Sequence, residues 1–142
     1  MTIESMRAGG VPTVFSKLNL KDQREILVID APVSFEAELA ALSGVEVVRD
    51  PQPVAKTSFA LLFATRQAEV DALSTMIVDR LDGDAILWFA YPKGTSRRYR
   101  CDFNRDSGWR VLRAHGFDTV RQVAIDEDWS ALRFRRVEHI RR

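Results

Sequence analysis

The sequence predicts an α/β three-layer sandwich of about six strands, mostly parallel, with a C-terminal antiparallel hairpin. Three observations lead there. Apolar runs rich in branched residues, with no polar alternation, recur along the chain and have the pattern of strands covered on both faces, as in a parallel sheet. Segments with apolar residues at helical spacing lie between several of these runs, and such alternation builds layers of helix on both sides of a sheet with right-handed crossovers. The last two runs are joined by only three residues, Asp126-Glu127-Asp128, a connection that antiparallel strands alone can make.

The elements follow in order. Met1–Thr13 reads as a loose arm, followed by one domain over 14–138 and a basic tail over 139–142. Thr13–Leu20 fits a short helical turn with Phe15 and Leu18 on its apolar side. Glu25–Asp30 is the first strand, ended by Ala31-Pro32. Ser34 is placed to cap a helix through Phe35, Leu39 and Leu42, with Glu36 and Glu38 in its first turns and Gly44 at its exit. Val45–Arg49 is a short strand stopped by Asp50-Pro51-Gln52-Pro53, and Ser58–Ala64 is a third strand. Thr65 caps a helix in which Val70, Leu73, Ile77 and Leu81 share a face, with Asp82-Gly83 as its exit. Ala85–Tyr91 is the most apolar stretch and so a central strand. Asp102 or Asp106 caps a helix carrying Trp109 and Leu112 and closed by Gly116, before the hairpin strands Val120–Ile125 and Ser130–Val137.

Composition sets limits on function. The chain has 142 residues, 46% hydrophobic and 29% charged, enough for one core and too ordered a mixture for a disordered chain. Its net charge of +1 excludes a surface built wholly for nucleic acid. Residues 1–92 hold 8 basic and 13 acidic side chains, whereas residues 93–142 hold 13 and 7, so any basic surface is drawn from the second part. The single cysteine, Cys101, cannot form an intrachain disulfide, the start lacks the apolar run of a signal peptide, and no stretch reaches the about 18 apolar residues of a membrane span. A cytoplasmic protein without membrane attachment is expected.

The pattern resembles a class I S-adenosylmethionine-dependent methyltransferase, a Rossmann-like fold, here shortened and without its signature. The terminal hairpin carries that resemblance. More closely, the chain is similar to a small bacterial family of single-domain proteins of unknown function, through Lys17–Pro32, Trp88–Lys93 ending in Tyr-Pro-Lys, and Val123–Phe134 with Asp-Trp-Ser-Ala-Leu-Arg-Phe. The departure comes after the first strand, where such folds place glycines for close approach to a ligand. Here Asp30-Ala31-Pro32-Val33-Ser34-Phe35 has no glycine, and Pro32 offers no N–H. The resulting expectation is a non-catalytic module with no cofactor, binding a small anionic or zwitterionic ligand or a protein partner. A methyltransferase with an altered cofactor pose and an RNA-binding accessory protein are the alternatives.

Ligands of an open α/β sheet sit beyond the carboxyl ends of its strands, at the switch in strand order. With the methyltransferase strand order, that rule selects Asp30, Thr65, Arg66 and Lys93, together with Asp126, Asp128 and Trp129 at the hairpin tip. Asp50 ends the second strand where a carboxylate binds a ribose diol in such folds, or it simply forms the turn before Pro51. Arg97, Arg98, Tyr99 and Arg100 form a basic loop with one aromatic residue, a candidate contact for an anion or nucleic acid; its single Gly94 after Lys93 does not make a phosphate loop. Arg133 and Arg135 lie on the opposite strand face from Leu132 and Phe134 and need an acidic partner, a route to water, or a second subunit. Neither His115 nor His139 has a metal or triad partner, and Cys101 in its basic loop is a weak nucleophile candidate even with a depressed thiol pKa. No catalytic residue or metal site is assigned.

Overall fold

The computed structural model describes residues 13–104 and 106–140. The expected arm over 1–13 and the last two residues of the tail therefore lie outside the described residues, apart from Thr13. A six-stranded sheet forms the middle layer: β1 (Glu25–Ile29), β2 (Glu46–Val48), β3 (Thr57–Phe63), β4 (Leu81–Pro92), β5 (Phe117–Ala124) and β6 (Trp129–Arg136), in the spatial order β2-β1-β3-β4-β6-β5. The first four strands pair in parallel, and β6 lies antiparallel between β4 and β5.

Burial on both faces explains the continuous apolar runs. On one face Leu27, Ile29, Ala60, Leu62, Leu87 and Phe89 pack beneath α3 (Gln67–Val78) and α4 (Arg110–Ala114). On the other, Ile26, Val28, Phe59, Leu61, Phe63, Ile86 and Trp88 pack against α1 (Thr13–Lys17) and α2 (Glu36–Ala40). Trp88 is fully buried, and its indole N–H donates to the Leu18 carbonyl at 2.8 Å, tying α1 to the centre of the sheet. No helix among the described residues is long and apolar enough to cross a membrane.

Several local expectations change. Ser34 makes no cap: a 3₁₀ turn over Val33–Phe35 leads straight into α2, because Pro32 enters extended and hands its carbonyl to the Phe35 N–H. The helix expected to run to Asp82-Gly83 ends at Val78, and Leu81, Asp82 and Gly83 already belong to β4, where Gly83 has φ +60° in an irregular start to the strand. Arg80 lies just past that end. Its guanidinium donates to the carbonyls of Pro51, Val54 and Met76, so the helix end is stapled to the loop before β3. α4 starts after Trp109, capped by neither Asp102 nor Asp106. Asp102 instead accepts the Gln67 N–H at the start of α3, 35 residues away in sequence. Gly116 closes α4 with φ +84°.

Two stability predictions come from this packing. Trp88→Phe keeps an aromatic ring but leaves the Leu18 carbonyl without its buried donor, so the unfolding free energy should fall by about 1–3 kcal/mol, read as a lower urea midpoint. Gly108 and Gly116 both have positive φ, but a Cβ at Gly108 would lie 2.6 Å from Gln67 Oε1, whereas one at Gly116 would meet nothing within 4 Å. Gly108→Ala should therefore lower the thermal midpoint more than Gly116→Ala.

Candidate functional site

A cleft lies beyond the carboxyl ends of β3 and β4, with a volume of about 920 Å³. Its floor and walls come from Thr65 and Arg66 after β3, from Tyr91 to Lys93 at the end of β4, and from the long loop that follows. That loop is held by internal hydrogen bonds. Ser96 Oγ donates to Asp128 Oδ1 at 2.8 Å and accepts the N–H groups of Arg98 and Tyr99, while the Lys93 N–H donates to the Asp128 carbonyl. The Tyr99 ring then packs on Trp129, with centroids 4.9 Å apart.

Carboxylates near the cleft are engaged elsewhere. Glu69, in the first turn of α3, accepts the N–H groups of Thr65 and Arg66 through Oε1. The Thr65 N–H above all, helped by that of Arg66, holds the Glu69 carboxyl below its ordinary range against a smaller opposing effect of burial. Asp102 holds the Gln67 N–H at 2.6 Å. Arg66, Lys93, Arg97 and Arg100 meanwhile form no ion pair with any described residue, so the cleft wall is cationic.

The residues selected from sequence separate into two groups. Thr65, Arg66, Lys93, Arg97, Tyr99 and Arg100 all line the cleft, whereas Arg98 is exposed outside the lining. Asp126, Asp128 and Trp129 do not line it. Asp126 Oδ1 accepts the N–H groups of Asp128 and Trp129, which shapes the hairpin turn. Trp129 is only 3% exposed, set between Phe63 and Tyr99, so the tryptophan expected at the ligand is a support behind the loop. The side chain of Lys93 forms no ion pair with the acidic turn.

Asp30 and Asp50 lie outside the cleft, at the exposed carboxyl ends of β1 and β2. Asp50 uses Oδ1 to accept the Gln52 N–H in a turn. Asp30 has φ +59°, so the chain leaves β1 through the left-handed backbone that a glycine would supply. Asp adopts that conformation more readily than most residues because its short side chain is tolerated there. Beside this edge, Arg49 donates two hydrogen bonds to Glu36, at 2.9 and 3.0 Å, which ties the end of β2 to α2.

Phe103 and Asn104, which sequence reasoning did not select, and Cys101, weighed there only as a weak nucleophile, reach the cleft because the loop folds back toward Thr65. No local spacing marks them. Cys101 corrects the idea of an activated thiol: burial pushes its pKa up, and Sγ donates to the Phe103 carbonyl. Arg135 finds its acid on a neighbouring strand, in a bidentate contact with Asp84. Arg133 is half-buried, and burial lowers its pKa. Among the described residues, no group of three His, Cys, Asp or Glu side chains is placed to hold a metal ion.

Glu69 makes the start of α3 sensitive to acid. Its folded pKa lies below the unfolded value of about 4.3, so its stabilisation is complete above that value and is lost as pH falls through the folded one. Chemical denaturation between pH 6 and 3 should give a shallower loss of stability for Glu69→Gln than for the wild type.

Solved structures share this architecture. The chain is similar to a SAM-dependent methyltransferase from Aquifex aeolicus with a TM-score of 0.62 and 11% identity, over 95% of this chain and 94% of that one. It also matches the pyocyanin biosynthetic protein PhzM, with a TM-score of 0.60 and 13% identity, over 93% of this chain and 56% of that one. The complex of LepI with SAM matches with a TM-score of 0.53 and 16% identity, over 89% and 41% of the two chains. No protein-family profile and no curated protein sequence matches. At these identities the likeness establishes the fold: a Rossmann-like, methyltransferase-like sheet with a C-terminal antiparallel hairpin. The expectation of a chain without a cofactor is overturned, because solved structures of this fold include SAM-dependent methyltransferases and one in complex with SAM.

Proposed function

We propose that this chain is a methyltransferase-type domain that binds S-adenosylmethionine at the carboxyl edge of β1 and β2 and presents its methyl group toward the cleft beside β3. The observation that carries this reading is the pair of exposed carboxylates, Asp30 and Asp50, at the carboxyl ends of β1 and β2, with the switch in strand order between β1 and β3. The reading replaces that of a non-catalytic scaffold, whose main support was the missing glycine.

The exposed donor set suits this ligand. S-adenosylmethionine carries a sulfonium, an ammonium and a carboxylate, and so a net positive charge. Asp30 and Asp50 give the edge an acidic character that favours such a cation. Asp50 keeps Oδ2 as an acceptor for the hydroxyls of a ribose after Oδ1 has taken the Gln52 N–H. Asp30 is the carboxylate available to the ammonium group. When bound, the ligand supplies an electrophilic methyl group. What the protein contributes is then orientation of two molecules along one edge, a source of rate enhancement that needs no ionisable catalyst. β1 and β3 are hydrogen-bonded neighbours, so the acidic edge and the cleft are separated by one or two strand spacings of about 4.8 Å each.

Thermal unfolding with and without S-adenosylmethionine or its demethylated product tests the reading. At about 100 times the dissociation constant, binding to the native state adds about 2.7 kcal/mol and should raise the midpoint by several degrees. The shift should shrink in Asp50→Ala and in Asp30→Ala. No shift with millimolar ligand would remove the reading.

A further inference from the structure

The cleft beside β3 and β4 has a charge that S-adenosylmethionine does not match. Among its described lining residues are four cations, Arg66, Lys93, Arg97 and Arg100, against one carboxylate, Asp102. Asp102 and the nearby Glu69 accept backbone N–H groups at the start of α3 and keep their charge, Glu69 acting on Arg66, so they offset only part of the positive charge. Four like charges facing one cleft repel one another, and a cationic ligand would meet the same repulsion. Their placement makes sense for an anion. A single carboxylate carries one charge and leaves most of the excess uncompensated, whereas phosphate groups carry more charge and match the donor fork of arginine.

From this excess of cations over carboxylates in a preformed cleft, we propose that the cleft binds a phosphate-bearing ligand, with Arg97, Arg100 and Lys93 as the principal contacts. The loop that carries them is already fixed by Ser96, Asp128 and the tilted contact of the Tyr99 and Trp129 rings, so little backbone freedom is lost on binding. The volume of about 920 Å³ admits a nucleotide-sized group. Arg98, exposed just outside, extends the cationic row along the surface. This site stands on its own, whether or not the acidic edge binds S-adenosylmethionine.

The test uses two phosphate probes without S-adenosylmethionine: ribose 5-phosphate by calorimetry, and a labelled ten-nucleotide single-stranded RNA by fluorescence anisotropy at several salt concentrations. The double variant Arg97→Gln/Arg100→Gln should weaken whichever probe binds by at least tenfold, with an unchanged circular-dichroism melt, while Asp50→Ala should leave binding intact. Tighter binding of RNA, with a salt slope that drops by about 1.4 in the double variant, identifies a nucleic-acid backbone as the source of phosphate. Binding of ribose 5-phosphate with no gain from the oligonucleotide identifies a small phosphate ester. The proposal is overturned if neither probe binds below 1 mM, or if the folded double variant binds as the wild type does.

Discussion

Leu61 and Leu62 are neighbours in β3, point to opposite faces of the sheet, and are both fully buried. The same holds for Trp88 and Phe89 in β4. A parallel pair buried on both sides cannot be solvated on either, so a helical layer must cover each face. Much of the rest follows from that constraint. α1 and α2 lie on one side and α3 and α4 on the other, and the strand ends are left as the open part of the molecule, where ligands gather in α/β folds.

The open edge is divided by charge. At β1 and β2 it presents Asp30 and Asp50, while at β3 and β4 it presents Arg66, Lys93, Arg97 and Arg100. The second group forms no close ion pair among the described residues, and the acids nearby have other partners: Glu69 and Asp102 accept backbone N–H groups at the start of α3. A helix N-terminus favours carboxylates through both its dipole and its unsatisfied donors. Satisfying that helix end fixes these carboxylates on the α3 backbone, away from the arginine side chains of the cleft loop.

Two acidic turns show how similar residues acquire different roles. Asp126 shapes the hairpin by accepting two N–H groups, and Asp128 holds the cleft loop through Ser96. Asp84, beside the irregular start of β4, instead pairs with Arg135 across the sheet, and that guanidinium holds its carboxyl below the ordinary range. Arg133, two residues earlier on β6, is opposite Arg121 and has no such partner among the described residues. A two-residue step along a strand keeps the face but changes the neighbour, which is why the alternation of arginines could not say which one would be paired.

The sequence by itself determined the layered fold, its six strands and the terminal hairpin, because apolar periodicity and turn length act over a few residues and are written locally. It also picked out Thr65, Arg66, Lys93, Arg97, Tyr99 and Arg100 as candidates, from their positions after strands or in the basic loop. Tertiary structure alone decided that these six meet in one cleft, that Trp129 supports the loop from beneath, and that Asp102 caps a helix 35 residues before it. It also decided the left-handed backbone at Asp30, which the residue type alone does not announce, since a backbone dihedral depends on packing at both ends of the turn as well as on the residue. Helix ends were misplaced for the same reason: Arg80, just past the end of α3, reaches carbonyls brought close by the fold, and no spacing in the chain encodes that contact.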